Sequence, residues 1–511
     1  MSSAKSSRLG IVIAGLLLGI LMASMDSTIV ATAMGNIVGE LGGMDKFVWV
    51  TSAYLVAEMA GMPIFGKLSD MFGRKKFFIF GLIVFMAGSA LCGTADNIIQ
   101  LATYRAIQGV GGGALVPIAF AIMFDAVPLE ARGKLGGAFG AVFGLSSIFG
   151  PLLGAYITDH IAWQWVFYIN LPLGVLAFAM VVFFYKESHE HSKQRIDWLG
   201  AGTLIGAVIS LMFALELGGK EYAWDSSVIL GLFAVFAVLT AAFFFVETKA
   251  TEPIISFKLF HQNLYAFSIL CAMFSGASFI VASVYIPIFI QGVLGGSATN
   301  SGLVLLPMML GSVVTATAGG FLMNKISYRN LMIPTLALLV VGVGLASTLS
   351  PDSSRLEVTL YMILMGLGIG ASFSVLGNAA IHGLSANQRG SASATLNFTR
   401  SLGMTLGITI FGIIQSHYFT NKLGELFASG GGSGAAGGFD FKDPRSLLSQ
   451  DARAMIPPEI LGKITEGLSS SIVHTFGWAL IPAGLAFLFS FFMGRQKLDE
   501  TMEAQSQPAG H

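Results

Sequence analysis

Apolar residues fill long stretches of this chain, and polar residues are confined to short intervals between them. Stretches of spanning length lie near residues 10–34, 47–66, 77–95, 98–124, 134–158, 163–185, 198–217, 227–247, 264–291, 299–323, 330–349, 356–381, 391–416 and 472–494, fourteen in all. About 20 consecutive apolar residues cross the hydrocarbon of a bilayer as one helix. Glycine and proline are common inside the stretches, as membrane helices tolerate. Barrel strands would be about ten residues long with alternating polarity, and no segment reads that way. The pattern predicts an all-α polytopic membrane protein.

Composition agrees. Of 511 residues, 54% are hydrophobic and 11% charged, against roughly 25% charged in a soluble domain. Too few charges remain to solvate a surface, so most of it must face lipid. The balanced net charge argues against a nucleic-acid partner. Cys92 and Cys271 both lie in apolar stretches and read as small buried residues. The short basic start, Met1 to Gly10, precedes an apolar run too long for a signal-peptide core, so it is expected to be a retained first span.

The intervals set an orientation. Loops after the even-numbered spans hold fourteen Lys and Arg, among them Lys67, Arg74, Arg132 and Arg389; the short loops on the other side hold Lys46, Lys220 and Arg355. The positive-inside rule makes the basic side cytoplasmic, with both termini. Residues 186–197 read as a charged linker. Residues 417–471 read as a long outer loop, with a glycine-rich run from Ser429 to Gly438 and a short surface helix over Met455 to Gly467.

One interval is distinctive. Gly66-Lys67-Leu68-Ser69-Asp70-Met71-Phe72-Gly73-Arg74-Lys75-Lys76, read as a loop between spans 2 and 3, resembles the G-x-L-(A/S)-D-x-x-G-R-(K/R)-(K/R) signature of the major facilitator superfamily. Met25-Asp26-Ser27-Thr28-Ile29-Val30 in span 1 resembles the L-D-x-T-I-V motif of that superfamily's fourteen-span drug:proton antiporters. The usual Asn and Pro further along are Ala31 and Gly35 here. Arg105-Ala106-Ile107-Gln108-Gly109-Val110-Gly111-Gly112-Gly113 resembles R-x-x-Q-G-x-G-x-G of proton-coupled facilitators. Gly150-Pro151-Leu152-Leu153-Gly154 resembles the G-P-x-x-G antiporter core. Trp163 to Gly174, with Gln164 for the usual Arg, resembles the W-R-W-x-F-x-I-N-x-P-x-G string of the fourteen-span exporters. It also reads as an aromatic belt at the outer interface. Gly320 to Asn324, followed by Arg329, is a degenerate second copy of the first signature, with Asn324 in place of the aspartate.

Embedded charges are the candidate chemistry. An ionised carboxylate at mid-membrane costs roughly 2.5–3.5 kcal/mol on insertion scales. Asp26 can escape that cost by taking up a proton, which makes it a candidate proton carrier; a structural hydrogen bond to a neighbouring helix is the alternative. Arg105 cannot shed its proton and needs an acceptor within the bundle. Asp26 is its natural partner, in a pair that is either switched or fixed. Glu58 in span 2 is a candidate for proton coupling or for binding a cationic substrate, and Glu216 in span 7 for substrate binding. Gly66, Asp70, Gly73, Arg74 and Arg132 are candidate gating residues, with Asp125 joining a charge cluster that breaks and reforms. Gly150, Pro151 and Gly154 let helices approach and bend, a conformational role. His189 and His191 lie in the linker with no further ligand nearby, so no metal is expected. No cofactor is expected either, and the lack of a G-x-x-x-x-G-K-(S/T) loop argues against an ATP-driven pump.

Together these resemblances imply the major facilitator fold: two six-helix bundles with two extra inserted helices, 14 transmembrane helices. The expected division is an N-terminal bundle over 1–190, linker and inserted pair over 191–262, a C-terminal bundle over 263–495 and a cytoplasmic tail over 496–511. They imply a non-enzymatic efflux transporter of a bacterial plasma membrane, exchanging lipophilic or cationic drugs for protons, functional as a monomer among membrane lipids. A sodium or potassium/proton or tetracycline/proton antiporter, an exporter of one endogenous metabolite, and a sensor that moves nothing stay open on the residues alone.

Overall fold

The computed structural model describes residues 3–42, 46, 48–127, 129–187, 196–219, 221–296, 298–428 and 457–498. The helices are α1 (Ser3–Leu41), α2 (Val48–Phe72), α3 (Arg74–Cys92), α4 (Ile98–Ala126), α5 (Leu129–His160), α6 (Trp165–Tyr168), α7 (Asn170–Phe184), α8 (Trp198–Leu217), α9 (Ser227–Lys249), α10 (Asn263–Gly292), α11 (Ala298–Leu322), α12 (Tyr328–Ala346), α13 (Arg355–Ile381), α14 (Ala386–Ala428) and α15 (Pro458–Ser490). There is no strand among the described residues, only an isolated bridge between Gly218 and Tyr222. In lipid every backbone polar group must be satisfied within its segment, which leaves the helix as the solution for these runs. Twelve segments, with α6 and α7 stacked as one, are long and apolar enough to cross a membrane. With α2 and α5, which run beside them against α4 and α1, the described residues give fourteen helical spans, in keeping with the fourteen apolar stretches. Large apolar side chains such as Phe183, Trp198, Leu199 and Val238 stand on the outer surface, as a lipid-facing bundle requires.

Polar side chains mark several helix starts. Asn97 accepts from the Gln100 N–H at 2.9 Å and Asp197 from the Gly200 N–H at 2.8 Å. Ser354 and Glu357 form a reciprocal capping box at α13. Each satisfies backbone donors that the first helical turn leaves unpaired.

Two segments differ from the sequence reading. Residues 66–72 are helix, not loop: α2 runs on to Phe72, and the turn into α3 is made by Gly73 at φ 112°. That conformation is open to glycine and strained for other residues. The outer loop is also shorter than expected, because α14 continues to Ala428 and α15 begins at Pro458. The surface helix expected over Met455–Gly467 is instead, from Pro458 on, the first turns of α15. The glycine-rich run and the pair His189 and His191 lie outside the described residues. Both differences have one cause: a helix need not end where the bilayer does, and hydropathy marks only the apolar part.

The internal repeat is clearer in space than in sequence. A Cβ on Gly113 of α4 would lie 2.5 Å from the Glu58 carbonyl oxygen of α2, and Gly109 abuts the Tyr54 carbonyl on the same helix. Gly111, between them, abuts Phe85 of α3. In α13, Gly366 and Gly370 abut the carbonyls of Met308 and Ser312 in α11, while Gly368 abuts Leu339 of α12. The same G-x-G-x-G spacing thus seats α4 between α2 and α3, and α13 between α11 and α12. One turn before the glycines, α4 has Arg105 and α13 has Met362. The two halves share packing but not charge.

Candidate functional site

Asp26 of α1 is wholly buried, with Arg105 and Gln108 of α4, Ser89 of α3 and Asn170 of α7. Asp26 Oδ2 pairs with Arg105 Nη1. Asp26 Oδ1 accepts from Gln108 Nε2 at 2.8 Å and Asn170 Nδ2 at 3.0 Å. Those two amides also donate to Ser89 Oγ, at 3.1 and 3.0 Å, and Ser89 spends its own proton on the Phe167 carbonyl at 3.0 Å. Arg105 donates further to Gln108 Oε1 at 2.6 Å and, through Nε, to the Val50 carbonyl at 3.2 Å. Its guanidinium carbon stands 4.2 Å from the centre of the Tyr54 ring, a cation–π contact. Helices α4 and α7 thus meet the carboxylate of α1 directly, and α3 joins through Ser89.

The register of α1 is set by α5. Thr28 Oγ1 donates to the Ser146 carbonyl at 3.1 Å. Gly150 and Gly154 leave just enough room for Thr28 and Thr32; a Cβ on Gly154 would lie 2.7 Å from the Ile29 carbonyl oxygen. This close seat holds Asp26 at the height of Arg105.

Every polar side chain that meets the Asp26 carboxylate presents a donor to it. Charged hydrogen bonds contribute about 1.5–3 kcal/mol each, and removing one partner of a buried ion pair costs roughly 3–5 kcal/mol because the other charge is left uncompensated. Arg105 Nη2 and Asn170 Oδ1 are buried without partners here, so the network has spare capacity for a rearranged state.

A second cluster closes the basic end. Asp70 of α2 accepts from Arg74 Nη2 at 2.9 Å, from the Gly390 N–H at 3.0 Å and from the Ser391 N–H at 2.7 Å. Asp125, at the end of α4, bridges Arg74 and Arg389, the latter at 3.1 Å. A Cβ on Gly66 would lie 2.9 Å from the Gly390 carbonyl oxygen, and one on Gly390 would lie 2.8 Å from Asp70 Cγ. Lys67 pairs with Glu252 at 2.7 Å in the segment after α9, whose Ile254 carbonyl accepts from Ser391 Oγ at 2.7 Å. Signature residues of α2 and α3 are thereby fastened to the start of α14.

The expected pair Asp26–Arg105 and the expected cluster of Asp70, Arg74 and Asp125 are brought together. The side chain of Arg132 lies outside the described residues. Glu58 is half-buried on α2 and makes no hydrogen bond or ion pair among the described residues. Glu216 stands apart from both, bordering a cavity of about 460 Å³ between α2, α4 and α8 that is lined otherwise mainly by apolar side chains.

Sequence reasoning missed Asn170, Ser89, Arg389 and the role of Gln108. Asn170 lies in the string from Trp163 to Gly174, read above as interfacial. Only part of that string meets the surface: Trp165 is 52% exposed, but Trp163 is 2% exposed and donates to Glu40 at 2.8 Å. An asparagine kept in an otherwise apolar span was the available signal.

Relatives are extensive. The chain is 53% identical to Multidrug resistance protein 3 of Bacillus subtilis (strain 168), over 98% of each. It is 36% identical to Multidrug transporter protein MdtP of the same organism, over 98% of this chain and 96% of that one. Among solved structures, the proton:xylose symporter XylE aligns with a TM-score of 0.62 at 14% identity, covering 98% of this chain and 100% of that one. The human organic anion transporter MFSD10 aligns at 0.58 and 15% identity, covering 95% of this chain and 100% of that one. The family model of the Major Facilitator Superfamily matches residues 16–199 and 198–408, and with the repeat of seated helices this places the chain in that superfamily.

Proposed function

We propose that the protein is a secondary active exporter of lipophilic or cationic drugs, exchanging them for protons by alternating access. Asp26 carries the proton, and Arg105 competes with the proton for the carboxylate. The observation that carries this reading is the wholly buried Asp26–Arg105 pair inside one half of a facilitator fold. The two relatives from Bacillus subtilis are named for multidrug transport, which supports the substrate class. The positive-inside count supports a cytoplasmic location for the gate and both termini.

The coupling follows α2. Its Tyr54 covers Arg105, its Asp70 holds α14, and Thr405 of α14 donates to Met59 of α2 at 3.6 Å. A proton entering from outside neutralises Asp26, frees Arg105 and, through Tyr54, disturbs α2. The cytoplasmic gate then opens and substrate enters. Glu58 and Glu216 are candidate cation partners, Glu216 at an apolar cavity open to lipophilic molecules. Gly150, Pro151 and Gly154 keep α1 and α5 in register during the change.

The test uses purified protein in liposomes holding a pH dye, with an imposed proton gradient, and addition of ethidium, tetracycline, sodium and potassium in turn. Proton movement on ethidium addition, lost in Asp26→Asn, is expected. A response to sodium or potassium alone would move the assignment to a cation antiporter, and an undiminished Asp26→Asn response would remove Asp26 from the mechanism.

A further inference from the structure

Among the embedded charges that take no part in the Asp26 network or the gate are Glu58 on α2 and Arg400 on α14. Arg400 is 8% exposed. Its Nη2 donates to the Ser372 carbonyl of α13 at 3.0 Å. Its guanidinium carbon stands 4.9 Å from the centre of the Phe373 ring, and its buried Nε has no acceptor among the described residues. Gly276 of α10 makes room for the stem, since a Cβ there would lie 3.2 Å from Arg400 Cγ.

No carboxylate among the described residues forms an ion pair with Arg400, and the sequence shows why its own half supplies none. Helices α10, α11 and α12 contain no Asp or Glu. The acids of α13, α14 and α15 are Glu357, Glu425, Glu459 and Glu466, all toward the end of the bundle opposite the gate. A guanidinium keeps its charge at any working pH, and burying it without a counter-ion is costly. Packing alone would be served as well by an apolar residue.

Position adds to this. Thr405, beside Met59, marks the level of Glu58 on α14; Arg400 lies five residues nearer the gate, roughly 7 Å at 1.5 Å per residue. Facing helices thus carry a cation and an anion staggered along the bundle axis. We propose that Arg400 is the anion-recognising residue of the substrate site. The ligands it selects are ring-bearing amphiphiles with a carboxylate, held by Arg400 with the ring against Phe373, and those that also carry a cation set it toward Glu58. This rests on the export reading above and adds to its substrates lipophilic molecules that bear a carboxylate.

Rhodamine 110 and rhodamine 123 test it, because they share one cationic ring system and differ as free carboxylate and methyl ester. Binding to the purified full-length protein is read by fluorescence polarisation, and proton-driven transport in liposomes. In Arg400→Gln, rhodamine 110 is expected to lose at least tenfold in affinity, while rhodamine 123 stays within twofold. Arg400→Lys should restore part of the loss. Equal losses for both dyes, or no loss for either, would overturn the proposal. Should Arg400→Gln fail to fold, the wild type decides: tighter binding of the acid than of the ester supports the assignment, and equal or weaker binding refutes it. Absence of rhodamine 123 transport by wild type would count against export itself, and the binding comparison would still judge Arg400.

Discussion

Asp70→Asn should loosen the gate without disturbing the Asp26 network. In the closed state the Asp70 carboxylate accepts from the Gly390 and Ser391 N–H groups, at 3.0 and 2.7 Å, and from Arg74 at 2.9 Å. The bonds to residues 390 and 391 join α2 to α14, so they exist only while this end is shut. Asparagine keeps one acceptor oxygen and offers an N–H₂ where an acceptor stood. One inter-helix bond to a charged group is lost, about 1.5–3 kcal/mol, which is roughly a 10- to 150-fold rise in the open-to-closed ratio. Arg74 retains Asp125, so no buried cation is stranded and the fold should survive. The assay is maleimide labelling of Ser393→Cys, a near-isosteric probe at a position 4% exposed one turn beyond the gate. Cys92 and Cys271 are replaced so that the probe reports alone. Labelling of a transiently exposed site follows the open population when reclosing is fast. A rate at least tenfold above the Asp70 background is expected. An unchanged or slower rate would show that these bonds do not hold the gate.

Other substitutions probe other links. Arg105→Lys keeps the charge but cannot serve Val50, Gln108 and Asp26 with one planar fork, so drug-dependent proton movement in liposomes should fall at least tenfold. Asn170→Leu removes a donor from the Asp26 carboxylate; a stability loss of about 1–3 kcal/mol should appear as earlier thermal unfolding in detergent, together with weakened antiport. Gly113→Ala puts a methyl 2.5 Å from the Glu58 carbonyl, and overpacking of about 1–3 kcal/mol should lower the melting temperature, whereas Gly35→Ala, with nothing within 4 Å, should leave it unmoved.

Several features were legible because the bilayer makes them expensive to hide. An apolar run of about 20 residues has few fates other than a span, so the fourteen helices could be read in order. Asp26 and Arg105 stood out because embedded charges are costly, and opposite charges on two spans suggested each other as partners. The proposed gate was half visible: Asp70, Arg74 and Asp125 are charges near helix ends, but the groups that join α2 to α14 there are backbone N–H donors of Gly390 and Ser391, which any residue except proline carries.

What only the tertiary structure decided follows from the same physics. Neutral polar residues cost little in a span, so Asn170 gave only a weak signal and Ser89 none until packing brought both into the Asp26 network. Hydropathy marks where the apolar part of a helix ends, so it missed the extension of α2 to Phe72 and of α14 to Ala428. The repeat was faint in sequence because only the glycines that permit backbone contact need recur; the side chains around them diverged, leaving Arg105 in one half and Met362 in the other. The sequence determined which groups must find partners inside the membrane, and the packing of helices from distant parts of the chain determined which partners they found.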